Sequence, residues 1–229
     1  MEFDLKESTF DVAASTVLIL IWYFSLKGTT DGSEKRLSWI LTLLSAIVST
    51  FGCIPLVYEG FSLGWPATII YGNGRLSRLL VKFFVTYLCW DSFFIYRDYP
   101  TIGGMFHHVP YLVFMALSLY YHCPSMFVVF MPMEVSSIFL SLGHIWPNFR
   151  ADIPFGITFF AGRVLYHAYL WLQLYNTRSE SPFLVYPFSI LPLFVHIHWF
   201  GKWCFSMLKK RKGKGENLKE KEEKTKKVE

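Results

Sequence analysis

The sequence predicts an all-α, multi-pass membrane protein with about seven helical spans. Three observations carry this. Of 229 residues, 53% are hydrophobic and 17% charged, against roughly 25% charged in soluble domains. Apolar runs close to the length of about 20 residues that crosses a hydrocarbon core recur along the chain. Charge is also segregated. From Lys209 onward there are ten Lys/Arg and five Glu, which is the whole net charge of +5, and the remainder is balanced. The basic balance therefore belongs to the tail. The aromatics, 19% of the chain, lie in apolar runs rather than among basic residues, and no nucleic-acid-reading motif occurs, so nucleic acid is not expected as a partner.

Residues 1–11 hold Glu2, Asp4, Glu7 and Asp11 against Lys6. A cleavable leader starts with a basic region, so residues 12–26 are expected to stay as a first span. Residues 27–36 form a polar loop. Residues 37–57 carry no charge and form a second span ending near Pro55. Residues 58–77 read as a loop, with a turn at Gly72-Asn73-Gly74. The third span, 79–96, contains Lys82 and Asp91. The fourth, 105–121, is separated from the fifth, 125–142, only by His122-Cys123-Pro124. A gap that short requires an antiparallel pair, and Pro124 restricts the residue before it. After a loop at 143–152, the sixth span (153–175) carries Arg163, His167 and Gln173, and the seventh (183–208) carries His196 and His198.

This divides the chain into an N-terminal tail with the first helix (1–33), a central membrane domain (34–211) and a Lys/Glu-rich tail (212–229) expected to be disordered or nascently helical. Seven spans put the termini on opposite sides, and the basic tail places the C-terminus in the cytosol. Lys226 and Lys227, fourth and third from the end, resemble the di-lysine retrieval signal of endoplasmic-reticulum (ER) membrane proteins. That predicts an ER location and recognition by coat proteins. Cys53, Cys89, Cys123 and Cys204 show neither metal-type spacing nor a disulfide framework.

The informative residues are the polar ones inside the spans, because a charge at the bilayer centre costs roughly 2.5–3.5 kcal/mol. Asp91 is either a structural partner of Lys82 or another basic group, or a functional carboxylate. Lys82, near its span end, is expected to snorkel. His107 and His108 stand at the mouth of the fourth span. Adjacent residues on a helix lie about 100° apart, so one can face inward while the other meets the headgroups. Tyr111 and Met115 share the His107 face. An imidazole titrates near neutrality and can serve as base or nucleophile, or simply as an interfacial polar group. Glu134 has Ser137 and Ser141 on its face, and Arg163 has His167 one turn on. Two such charges at depth are expected to pair, structurally or functionally. His-x-x-His-His and His-Glu-x-x-His are absent, so no metal is predicted.

Taken together, Tyr87-Leu-Cys-Trp-Asp91, Met105-Phe-His107-His108, Met133-Glu134-Val-Ser136-Ser137-Ile-Phe139, Phe159-Phe160-Ala-Gly-Arg163 and His198-Trp199-Phe200-Gly-Lys202 resemble the TLC-domain family. That family includes ceramide synthases, translocon-associated membrane proteins and an ER cargo receptor. Its small members show Asp, then His-His, then Glu-(Leu/Met/Ile)-Ser-(Thr/Ser)-Pro-Phe, then Arg in the next span. Here Ile138 replaces the Pro. Ceramide synthases share the His pair but carry His-Asp-x-x-Asp where this chain reads Met133-Glu134-Val135-Ser136-Ser137, so the acidic residues of the synthase motif are missing.

The resemblance implies six spans around a lipid-accessible central cavity, with one additional span. Asp91, His107 or His108, Glu134 and Arg163 would face inward, and Ser137, Tyr111, His167 and His196 would help line the cavity. It further implies a role in ER membrane phospholipid or sphingolipid homeostasis, with membrane lipids as partners, through acyl-chain binding or acyl transfer. His107, His108 and Asp91 are then the catalytic candidates, acyl-CoA the substrate, and no resident cofactor is called for. The alternative is a non-catalytic ER-to-Golgi cargo receptor or assembly factor.

Overall fold

Apolar residues recurring every three to four positions make the chain helical almost throughout, and no strand occurs among the described residues. The computed structural model describes residues 5–30, 33–97, 102–181 and 185–226, with the side chains of 5–7, 34, 35, 102–107 and 211–226 outside that description. Helix α1 (Leu5–Lys27) buries a narrow stripe, Asp11, Ser15, Ile19 and Tyr23, at four-residue spacing, and leaves Phe10, Val17, Ile21 and Phe24 exposed. Helix α2 (Glu34–Gly52) passes through Cys53 into α3 (Ile54–Leu63). Pro55 falls in the first turn of α3, where its missing N–H removes no hydrogen bond. The apolar stretch Arg36–Leu63 is therefore one span of 28 residues. Pro55 does not end the second span, and residues 58–63, expected in a loop, are helical. The helix stops at Gly64, which takes the left-handed conformation at φ 75°.

A short α4 (Ala67–Ile70) leads to α5 (Arg75–Arg97). Of the spans, α5 is the most buried at 61%, against 22% for α1, so α5 is the centre of the bundle and α1 lies on its edge. Helix α6 (Ile102–Tyr120) ends as the sequence predicts. His122 takes φ 55°, and the Cys123 and His122 amides donate to Ser118 O and Leu119 O at 2.8 and 3.2 Å, which closes the helix and turns the chain.

The next span departs from expectation. It consists of α7 (Ser125–Val128), a 3₁₀ turn at Met131–Glu134 and α8 (Val135–Ile145), because Pro132 cannot donate to the α-helical ladder. After a 3₁₀ turn at Pro147–Phe149, one continuous rod follows. It is made of α9 (Asp152–Phe159), a π-helical segment (Phe160–Tyr166) and α10 (His167–Asn176). Gly156 is required on the rod, since a Cβ there would run into the Trp203 ring. A 3₁₀ turn at Arg178–Glu180 precedes α11 (Tyr186–Lys226), which stays helical through residues 212–226. Glu220/Lys224 and Glu222/Lys226 have the spacing that favours helix there.

Four stretches among the described residues are long and apolar enough to cross a membrane: Ser8–Lys27, Arg36–Leu63, Arg75–Arg97 and Ser125–Ile145. The described apolar part of α6, His108–Tyr120, is shorter. The fold is an all-α membrane bundle in which α2 packs along α8 and α5, α1 packs on α5, and α8 packs on α9.

Candidate functional site

The first polar cluster forms where two irregular helices face each other. The 3₁₀ turn around Pro132 frees backbone carbonyls that lipid could not satisfy, and side chains of the π-helical segment reach them. Tyr166 donates its hydroxyl to Val129 O at 2.8 Å, and Arg163 Nε donates to Met133 O at 3.2 Å. The backbones pass close at Gly162, where a Cβ would lie in ordinary contact, 3.5 Å, with Met133 Cα and Pro132 O. Arg163 sits inside the π-helical turn, a distortion that is frequent at functional sites.

The rest of the guanidinium is equally occupied. Nη2 donates to Glu134 Oε1 at 3.1 Å and to Ser137 Oγ at 2.8 Å, Nε also meets Ser136 Oγ at 3.1 Å, and Nη1 faces His196 Nε2 at 3.5 Å. Facing a donor, His196 Nε2 must be the unprotonated nitrogen. The proton is then on Nδ1, which lies 3.1 Å from Arg163 O and 3.2 Å from His167 Nδ1. His167 in turn keeps its proton on Nε2 and donates to Ser189 O at 2.9 Å. These tautomers are assigned from the hydrogen-bond network. His198, two residues from His196, points away and is exposed.

The second cluster joins α5 to α6. His108 is 1% exposed. Its Nε2 lies 3.3 Å from Asp91 Oδ2 and its Nδ1 lies 2.8 Å from Ser92 Oγ. Tyr87, 5% exposed, lies within electrostatic reach of both Asp91 and Glu134, and Tyr111 within reach of both Glu134 and Arg163. Tyr87 thus stands between the clusters, whereas the charges that reach Tyr111 both belong to the Arg163 cluster.

Of the residues the sequence singles out, Asp91 and His108 come together in one cluster and Glu134, Ser137, Arg163, His167 and His196 in the other, with Tyr111 in electrostatic reach of Glu134 and Arg163. The side chains of His107 and Lys226, and the whole of Lys227, lie outside the described residues. Among the described residues no three His, Cys, Asp or Glu side chains gather as a metal site.

Lys82 requires a correction. It neither snorkels nor pairs with Asp91, but is 8% exposed and donates to Asp11 Oδ2 of α1 at 2.8 Å. By sequence, Asp11 groups with Glu2, Asp4 and Glu7 in the acidic stretch 1–11. The available signal was its place at the head of the stripe continued by Ser15, Ile19 and Tyr23. Ser92 was also missed, because its only mark is its partner sixteen residues away.

No curated protein and no solved structure gives a significant match to the chain. A family model for the TLC domain matches residues 37–208, which run from α2 into α11 and contain both polar clusters, so the chain belongs to the TLC-domain family.

Proposed function

We propose that this chain acts on acyl lipids in the ER membrane and that its chemistry is acyl transfer at His108. Family membership supports a lipid-related role in a membrane. The observation that carries the chemical reading is the sealed Asp91–His108 contact of 3.3 Å. A carboxylate that accepts from Nε2–H fixes the proton on Nε2 and makes Nδ1 the basic nitrogen, which can take a proton. In the transfer, a lipid amine or hydroxyl attacks the carbonyl carbon of an acyl-CoA thioester. Its proton passes to Nδ1 and then to the departing thiolate, which gives an amide or ester and free coenzyme A. Membrane lipids are the partners in this reading. Arg163 and its neighbours hold α8 against the rod. The ER assignment and coat-protein recognition rest on Lys226 and Lys227 and on the basic cytosolic tail.

The test is lipidomics of cells lacking the protein, rescued with wild type or His108→Gln, beside transfer assays on the full chain in liposomes. His108→Gln is expected to lower transfer by roughly 10²- to 10⁴-fold, the range for a lost general base, and to leave the lipid profile unrescued. Full rescue by His108→Gln rejects the reading. If Lys226→Ser/Lys227→Ser instead abolishes function while His108→Gln does not, the cargo-receptor alternative takes its place.

A further inference from the structure

Serine and threonine hydroxyls inside these helices mostly turn back onto their own helix. Ser15 donates to Asp11 O, Thr86 to Lys82 O, Ser118 to Met115 O and Thr158 to Pro154 O, all at 2.7–2.8 Å. Ser92 does not. Its hydroxyl meets His108 Nδ1 at 2.8 Å across to the neighbouring helix, while the other ring nitrogen of the same imidazole meets Asp91 at 3.3 Å. With Asp91 accepting from Nε2–H, Nδ1 is the acceptor and Ser92 the donor.

Burial grades along this chain of contacts. His108 and Asp91 are 1% and 4% exposed, whereas Ser92 is half-buried. Ser92 lies on the α5 face that also carries Cys89 and Tyr96, at i−3 and i+4, both exposed. The hydroxyl therefore stands where a sealed acid–base pair meets the bilayer side of the helix. A nucleophile within hydrogen-bond reach of a base that a third group orients is the arrangement of covalent acyl transfer, here with the roles of the two ring nitrogens exchanged relative to serine hydrolases.

We propose that Ser92 is a nucleophile that carries the acyl group as an ester. This rests on the acyl-transfer reading above and deepens it. Ser92 Oγ attacks the carbonyl carbon of an acyl thioester or ester, and its proton passes to His108 Nδ1 as the C–O bond forms. Collapse expels a thiolate or alkoxide, which takes that proton and leaves as thiol or alcohol. The acyl–Ser92 ester is then attacked by a lipid amine or hydroxyl, whose proton goes to Nδ1 and on to Ser92 Oγ as the acyl group departs. Half-buried Ser92 shares its face with exposed Cys89 and Tyr96, so the donor reaches it from that side of the helix.

The test uses the full chain in detergent micelles and a fluorophosphonate probe, which modifies activated serines whatever their natural substrate. Peptide mass spectrometry is expected to find the adduct on Ser92. The adduct should be lost in Ser92→Ala and in Ser92→Cys, which keeps the contact without the hydroxyl, and should form at least tenfold more slowly in His108→Gln. All variants are first shown to elute as the wild type does in gel filtration. An unmodified wild type, or His108→Gln modified at the wild-type rate, overturns the proposal.

In a second measurement, alkyne-tagged acyl-CoA and alkyne-tagged phosphatidylcholine are supplied separately. Tag on Ser92 that resists neutral hydroxylamine, which strips a thioester from Cys89, supports the proposal, and the donor that delivers it identifies thioester or phospholipid ester as the source. Transfer that depends on His108 with no acyl group on Ser92 overturns the serine intermediate and leaves direct transfer standing. No transfer by the wild type removes the reading beneath it.

Discussion

Buried charges in this bundle are each met by a specific counter-group. Arg163 spends its guanidinium on a carboxylate, two hydroxyls and a carbonyl, a division that the single ammonium of lysine cannot reproduce. Lys82 and Asp11, with side chains 9% and 8% exposed, form a two-membered version of the same solution. Removing one partner of a buried pair costs about 3–5 kcal/mol, whereas replacing both by apolar groups of similar volume is often neutral. Lys82→Met is therefore expected to lower the thermal midpoint in micelles sharply, and Lys82→Met/Asp11→Leu to recover most of the loss. Additive losses in the double variant would show that the two side chains are not coupled.

The fifth span and the rod opposite it are irregular at the same level, one 3₁₀ and the other π-helical. These two departures fit together: the carbonyls freed by the first are taken up by Tyr166 and Arg163 of the second. Pro132 is the local cause, since restoring its N–H would let α7 and α8 join. Pro132→Ala is expected to regularise this span, withdraw Met133 O from Arg163 and reduce lipid activity several-fold, with hydrogen exchange slowing across residues 129–134. Exchange that stays unchanged there would show that the break has another cause. The proline at 132 and the isoleucine at 138 were both plain in the sequence. The π-helical turn was not, because the groups that Arg163 and Tyr166 reach lie on another helix.

The bundle has a centre and an edge. Helix α5 contacts both α1 and α6 and carries one member of two buried pairs, Lys82 toward α1 and Asp91 toward α6. Helix α1 lies outside the matched TLC region and is tied on by Lys82–Asp11, by Trp22 Nε1 donating to Ile40 O at 3.0 Å, and by Tyr23 stacked on Phe94 at 3.9 Å. At the far end, Asp152 ties the start of the rod to α11. Lys210 and Arg150 donate to it, each at 2.9 Å, and hold its carboxyl below the ordinary value of 3.8. A lowered carboxyl pKa contributes stability that is present above the ordinary value and is lost as pH falls below it. Hydrogen exchange around Lys210 is thus expected to rise on acidification below pH 3.8, and at neutral pH in Asp152→Asn. High salt should weaken the tie as well, because these side chains are exposed. An exchange rate indifferent to both would remove the tie.

Composition and the lengths of its apolar runs determined that this chain is a helical membrane bundle, since the bilayer admits little else at that hydropathy. Motif order alone pointed to the TLC family, and the cost of polar groups in lipid alone singled out Asp91, the His107-His108 pair, Glu134 and Arg163. Partners were decided only by the tertiary structure. Lys82 chose Asp11 over Asp91, Asp91 met His108, and Ser92 turned from its own helix to the same imidazole. A sequence states which side chains are too costly to leave unpaired in lipid, but which helices stand side by side is set by packing over the whole bundle, and that adjacency selects the partner each charge receives.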